Sequence, residues 1–341
     1  MSETSFVLGE MVDRLFARVL DDDAMRSARA GAWPDAAWRA VVEQGLLRAL
    51  VAGDQGFGLP LADGLALVRQ LGRRAVPLPL AETMIANALL EKAGLPVVDG
   101  VVGLVPEQAG VLLREEGSAW RASGEADRIA WGRHADALLV EAGGRIGLMT
   151  SHFRVDREGS NMAAQPRDRM VLDGPATVAP APRLSLLEAG ALIRALAMAG
   201  ALQTLVAMTI EHVSQRHQFG RPLSAFQVIQ HGLARLAAES AAASAAADLA
   251  ADAYAGDSPR AGLAIAAARA RIGEAAGIAI GLAHQLHGAL GFTEEHRLHW
   301  FTTALWAWRD EYGTAAWWTR RLGAEALAWQ APSYWPNVTA V

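Results

Sequence analysis

The chain has 341 residues, enough for about two domains and a sizeable buried core, and it contains no cysteine. That excludes a disulfide scaffold, a thiol nucleophile, cysteine-ligated zinc and iron–sulfur clusters. Hydrophobic residues make up 52% and charged residues 20%, with a formal net charge of −5. Such a composition belongs to a compact folded chain with apolar surface left for subunit contacts, and it lacks the basic surface that a nucleic-acid partner requires.

The N-terminal stretch MSETSFVLGEMVDRLF is acidic and has neither the basic nor the apolar region of a signal peptide, so a cytoplasmic location is expected. From Ser5 to about Pro96, apolar residues recur three and four apart, as in Met11, Leu15 and Val19 or Leu65, Val68 and Leu71, the period of amphipathic helices. Glycine and proline break this pattern at Gly31, across Gly53 to Gly64 and across Val76 to Leu80, with Asp63 placed to cap the helix that follows. From Val97 to about Ala181 short alternating runs between turn residues predict a small β domain, closed by the proline-rich Ala179 to Arg183. From Leu184 onward four helical blocks, split at Gly220–Ser224, Ala255–Arg260 and His287–Phe292, predict a four-helix bundle. The alanine-rich run Ala241 to Ala251 supplies small side chains for its inner seam. The longest uncharged stretch, Ala195 to Ile210, is shorter than the ~18 residues of a membrane span, and no membrane association is expected. The expected architecture is therefore mainly α with a central small β domain: an N-terminal helical domain over 1–96, a middle β domain over 97–183 and a C-terminal bundle over 184–341.

Two stretches stand out chemically. One runs Arg216-His217-Gln218-Phe219-Gly220-Arg221-Pro222-Leu223-Ser224-Ala225-Phe226-Gln227-Val228-Ile229-Gln230-His231, a helix end and tight turn leading into the next helix. The other is Gln285-Leu286-His287-Gly288-Ala289-Leu290-Gly291-Phe292-Thr293-Glu294-Glu295-His296. The first resembles the Arg-x-x-Phe-Gly-x-Pro-[Ile/Leu]-x-x-Phe-Gln-x-Ile-Gln-His signature of the acyl-CoA dehydrogenase family. The second resembles that family's Gln-x-x-Gly-Gly-x-Gly-[Phe/Tyr]-x-x-Glu. Both occur in the family's order and at its separation, and the segment Gly53 to Gly64, Gly124 and Ala135-Asp136 extend the likeness over nearly the whole chain.

The resemblance implies the acyl-CoA dehydrogenase fold, FAD as cofactor and α,β-dehydrogenation of an acyl-CoA substrate. It assigns FAD contacts to Arg216 and Gln227, and it gives the backbone of Gln285, Leu286, His287, Gly288 and Ala289 the role of holding the FAD of a neighbouring subunit. A permanently charged planar guanidinium such as Arg216 suits a pyrophosphate, and Phe219 beside it can pack on a ring. The plainer reading of Arg216 is a cation complementing a helix C-terminus. Ala289 stands where the family has its second glycine.

Removing a weakly acidic α-proton calls for a desolvated carboxylate near the thioester carbonyl. In the family's main branch that glutamate sits in a Tyr-Glu-Gly-Thr-like turn, which falls here at Glu311-Tyr312-Gly313-Thr314 with Tyr312 in its place. In the isovaleryl branch it lies on the first bundle helix, where this chain has Gly190. Three accounts follow: Glu311 serves from one residue out of register; Tyr312, a phenol with a pKa near ~10, serves itself; or a homologous subunit supplies the base. The family's bacterial steroid-degrading members are α2β2 heterotetramers in which one kind of subunit carries the glutamate, and VPLPLAETMIANALLEKAG is similar to those members. The β domain also departs from the family pattern, with Val105 to Gly110 replacing a Thr-Glu-Pro-x-x-Gly-Ser loop and Ile129-Ala130-Trp131-Gly132 replacing a Trp-[Ile/Val]-[Thr/Ser] motif. The reading is a β-type subunit lacking the catalytic glutamate, acting with a homologous subunit on a bulky thioester such as a steroid side chain. The alternatives are a homo-oligomeric dehydrogenase or oxidase using Glu311, and a non-redox scaffold. The pairs His284/His287 and His296/His299 read as cap or core histidines, and no metal site is expected, because the Glu-x-x-His pattern of a di-metal bundle does not occur.

Overall fold

A computed structural model describes residues 3–53, 56–329 and 331–339, so Asp54 and Gln55 of the glycine-rich segment lie outside the described residues. The N-terminal helices are α1 (Glu3–Val19), α2 (Asp22–Arg29), α3 (Asp35–Glu43), α4 (Leu61–Arg73) and α5 (Leu80–Lys92). Asp21 caps α2 by accepting from Ala24 N–H at 2.9 Å. Helix α4 starts two residues before Asp63, which stands in its first turn, where a carboxylate favours the positive end of the helix dipole. Helix α5 is buried on nearly every side. Its Asn87 makes three bonds that no apolar residue could replace, from Nδ2 to Leu47 O and Val98 O, each 3.0 Å, and from Val98 N–H to Oδ1 at 2.9 Å.

The β domain contains β1 (Val102–Val105), β2 (Leu112–Glu116), β3 (Ala119–Ala130), β4 (Ala137–Ala142), β5 (Arg145–Met149), β6 (Phe153–Arg157) and β7 (Arg167–Pro180). The sheet order is β1-β4-β5-β7-β3-β2, with β6 also on β7. Only β1 and β4 run parallel; the other pairings are antiparallel. Strand β4 is buried on both faces and reads as a continuous apolar run broken by one acid, Glu141, whose carboxylate accepts from Leu186 N–H at 2.8 Å. Burial raises the pKa of Glu141, and that backbone bond opposes the rise. Val105, Val111, Ala126, Leu138, Met149 and Met170 lie in the core of this domain.

The C-terminal helices are α6 (Leu186–Gln215), α7 (Gln227–Ala255), α8 (Ala261–His287), α9 (Leu298–Arg309), α10 (Ala315–Ala328) and α11 (Ala331–Thr339). The break after α6 is a small hairpin of β8 (His217–Gln218) and β9 (Arg221–Pro222). The last helical block, expected as one, is cut between α9 and α10 by a turn at residues 310–314. Helix α6 is long and apolar enough to cross a bilayer, yet 72% of its most apolar window is buried within the protein, as in a core helix. Helices α4 and α6 cross at glycines: a Cβ on Gly72 would come within 2.1 Å of Ala197 O, and one on Gly200 within 2.1 Å of Arg69 O. Arg69 pairs with Asp248 of α7 beside that crossing, and Gln203 of α6 donates to Ser244 of α7 at 3.2 Å.

The chain forms two compact units, one of Met1–Leu67 with Pro77–Ile193 and one of Val68–Val76 with Arg194–Val341. The N-terminal helices and the sheet share the first unit. The boundary within the C-terminal half falls inside α6, ten residues beyond the expected start of the bundle at 184, because one continuous helix serves both units.

Candidate functional site

Both chemical stretches lie in the second unit. Arg216 directly follows α6, and Leu223 N–H donates to its carbonyl at 2.8 Å, closing the β8–β9 hairpin. Phe219 and Gly220 form the two-residue turn with φ of +53° and +77°, the pair of left-handed conformations that matches strand twist in a tight hairpin. A phenylalanine there is strained and is also 91% exposed. Arg221 stacks over Phe226 at 4.0 Å, and Gln227 opens α7, exposed. The Arg216 guanidinium makes no hydrogen bond or ion pair among the described residues. A charge, a ring and an amide thus stand together on a surface of the protomer, unspent on the fold.

The second stretch ends α8. Gln285, Gly288 and Ala289 are exposed, whereas Leu286 and His287 are buried. Gly288 has φ +61° and ψ −143°, a conformation essentially closed to residues with a Cβ, and nothing lies within 4 Å of where that Cβ would be. An exposed backbone with open space before it is what close approach of a flat or phosphorylated ligand needs. Ala289 is exposed too, so the methyl that replaces the family's glycine points away from the core.

His212 of α6, His287 of α8 and His296, two residues before α9, hold the ends carrying the two stretches together. The rings of His212 and His287 stack at 4.5 Å, and His296 meets His287 edge-on at 4.9 Å. Desolvation is the largest cause lowering the pKa of all three; like charge from the neighbouring histidines adds to it at His212 and His287, and from His299 and Arg297 at His296, while His287 falls to about 4. Sequence spacing paired His287 with His284 and His296 with His299. The structure instead gives His284 to Thr302 at 3.3 Å and to a stack on Phe292, and has His299 bond the carbonyl of His296. No local signal identifies His212 as the third member, since it arrives from a helix seventy-five residues away.

Glu311, one of the three candidate sources of the base, lies in the turn between α9 and α10. Residues 310–314 are not helical, and the Glu311 carboxylate accepts from Arg194 Nε at 2.6 Å with both side chains 6% exposed. A carboxylate neutralised in this way is a structural ion pair. Arg269, fully buried, donates to the carbonyls of Trp308, Arg309, Glu311 and Gly313 at 2.7–3.1 Å. Burial first, then the like charge of Arg194, lowers its pKa to about 10, against the pull of Glu311. Tyr312 has φ +50°, lies under the Arg194 guanidinium at 5.7 Å and gives its carbonyl to Trp318 Nε1–H at 3.0 Å. Gly190, at the other base position, lies one turn before Arg194 on α6. Neither position bears a carboxylate.

In the first unit the segments that depart from the family pattern serve the fold. Trp131, 4% exposed, meets Trp33 edge-on at 5.8 Å within a cluster that also includes Trp38 and His134. Glu107 accepts from Gly143 N–H at 3.0 Å and pins the β4–β5 turn. Asp168, wholly buried, is bound by Arg133 at 2.6 Å and by Gly159 N–H at 3.0 Å; burial works against its charge, and these donors still hold its pKa below the usual value.

Residues 184–326, which contain both exposed stretches and the turn, match the family model for the acyl-CoA dehydrogenase C-terminal domain. Over these residues the chain is similar to the acyl-CoA dehydrogenase family. The acyl-CoA dehydrogenase IpdE2 of Mycobacterium tuberculosis is 28% identical over 300 residues, covering 86% of this chain and 88% of the relative. The fold matches a chain of the ChsE4–ChsE5 complex from Mycobacterium tuberculosis with a TM-score of 0.85 at 22% identity, over 97% of this chain and 99% of that one. It also matches the Tcur3481–Tcur3483 steroid ACAD, with a TM-score of 0.87 at 23% identity, over 96% and 99%. The chain has the expected acyl-CoA dehydrogenase fold, mainly helical with a small β domain.

Proposed function

We propose that this chain is the base-lacking subunit of a hetero-oligomeric acyl-CoA dehydrogenase, and that it lends a cofactor-binding edge to a homologous subunit that carries the catalytic glutamate. The observation that carries the reading is the pairing of Glu311 with Arg194, beside base positions held by Tyr312 and Gly190. The nearest carboxylate is committed to a buried ion pair, while Arg216, Phe219, Gln227 and the Gly288 backbone remain presented to solvent.

The residues at that edge fit FAD. Arg216 would bind a pyrophosphate oxygen, Phe219 would pack on a ring, Gln227 would offer an amide, and Gln285 to Ala289 would let backbone approach closely. FAD held there would supply an acceptor for a hydride from the β-carbon of the acyl chain. This chain's residues then bind and orient, and the α-proton is left to the partner's carboxylate. The name of one similar structure, a steroid ACAD, supports a steroid-derived, bulky acyl group, and that of another, the ChsE4–ChsE5 complex, supports an assembly of two different chains. We assign the assembly to the cytoplasm.

The test is to purify the chain alone and together with a homologous acyl-CoA dehydrogenase subunit. Flavin and turnover are expected only in the mixture, and Arg216→Ala is expected to lower the mixture's flavin content at least tenfold. Turnover by the lone chain would refute the proposal. Unchanged flavin in the Arg216→Ala complex would favour a scaffold that has kept only the fold.

A further inference from the structure

We propose that His212, His287 and His296 form a binding site for one divalent transition-metal ion of the zinc class, tying together the three helix ends that carry the cofactor edge. One ring nitrogen from each lies within 4.8 Å of the others. Tetrahedral zinc with Zn–N of about 2.0–2.1 Å needs its ligand nitrogens about 3.3 Å apart, so closure by at most ~1.5 Å completes the site.

His287 is prepared for the role. Its Nδ1–H donates to Ala283 O at 2.8 Å, the outer contact that typically fixes the tautomer of a metal-binding imidazole. Its Nε2 is therefore a bare lone pair, and it is buried with no hydrogen-bond partner in a side chain only 4% exposed. A buried acceptor left unmet is costly, and a cation in the cluster would satisfy it.

Two features set the affinity. His212 is stacked on His287, so ligation requires its ring to turn out of the stack; it is half-buried, and its ring nitrogens make no hydrogen bond among the described residues. His296 accepts from Leu298 N–H at Nδ1 over 3.2 Å, a long bond that ligation at Nε2 gives up. The charges acting on the cluster are of both signs: Arg216 on His212, Arg297 on His296, and Glu211 opposing Arg297. A site of three imidazoles with an open fourth position for water, and without a ligating carboxylate, selects Zn²⁺, Co²⁺ or Ni²⁺ over Mg²⁺ or Ca²⁺.

The experiment uses the chelator-treated full chain, or its complex with the homologous subunit, and needs no flavin. Titration with Zn²⁺ is expected to give one ion per chain by calorimetry. Co²⁺ is expected to show the visible absorption of a four-coordinate nitrogen site, and the melting temperature should rise by a few degrees at a hundredfold excess over Kd. His212→Gln and His296→Ala, each verified as folded by circular dichroism, should weaken binding at least tenfold, while Mg²⁺ should produce no shift. Absence of saturable zinc binding by the wild-type chain, or binding by the two variants as tight as that of the wild type, would overturn the proposal.

Discussion

Replacing Glu311 by glutamine is expected to destabilise the protein by about 3–5 kcal/mol, because it leaves a buried guanidinium without its counter-charge. Two unit charges about 4 Å apart at an effective dielectric near 20 attract by about 4 kcal/mol, and Arg194 and Glu311 meet at 2.6 Å with side chains 6% exposed. Removing Glu311 also leaves Arg194 facing the like charge of Arg269, so the cost should fall at the upper end. Arg194→Met is expected to cost less, because the stranded carboxylate can take up a proton. In that variant the folded-state pKa of Glu311 lies above its unfolded value, so the stability this proton provides is present at low pH and lost as pH rises through the folded pKa. Acidification should therefore narrow the Arg194→Met deficit and leave the Glu311→Gln deficit unchanged. The double variant should return to within ~1 kcal/mol of wild type, since replacing both members of a buried pair is often close to neutral. Urea unfolding at pH 5 and pH 7.5, followed by circular dichroism, measures all three. If Glu311→Gln costs under ~1 kcal/mol and abolishes turnover of the assembled enzyme, Glu311 is a catalytic base and the ion-pair reasoning fails.

Three further outcomes are expected. Gly288→Ala should cost about 1–3 kcal/mol through its φ and ψ alone, since no atom opposes the added methyl, and the assembled complex should show reduced flavin absorbance. Asn87→Ala removes three bonds of roughly 1 kcal/mol each and should lower stability by about 3 kcal/mol in thermal melts, whereas half-buried Asn337, whose side chain makes one bond to Arg260, should lose only about 1 kcal/mol on the same change. Burial lowers the pKa of His287 to about 4 from an unfolded value near 6.5, so its contribution is complete above about pH 6.5 and is lost as pH falls toward 4. Urea midpoints measured from pH 7 to pH 4 should decline over that window, and His287→Leu should flatten the decline.

The order of helices, sheet and bundle was legible because the apolar period changes from three-to-four to two near Val97 and back near Leu184, and chain order alone carries that information. The ends of α6 and α8 were legible too, because Phe219-Gly220 and Gly288 are turn-forming residues at the close of long periodic runs. The cut between α9 and α10 escaped notice: Gly313 is a single weak breaker in a tryptophan-rich stretch, and what fixes the turn is Arg269, forty residues earlier on another helix. For the same reason the ion pair of Glu311 was not legible, and Glu311 stood as one of three sources of the base. Its partner Arg194 lies 117 residues away, and an ion pair of that separation leaves no mark in local spacing. His212 is the same kind of omission, a lone histidine in an apolar helix until packing delivers it to His287.

Arg269 has a consequence for how such a chain changes over time. By gathering four carbonyls of the α9–α10 turn, it fixes the backbone at 311–313 from outside, so the path of the turn does not depend on which side chain stands at 312. A turn held in this way can lose a reactive carboxylate without unfolding and can regain one by a single substitution. Under the proposed function, division of labour between two related subunits is then a reversible step, because the backbone that would receive a glutamate is held by a buried arginine of another helix.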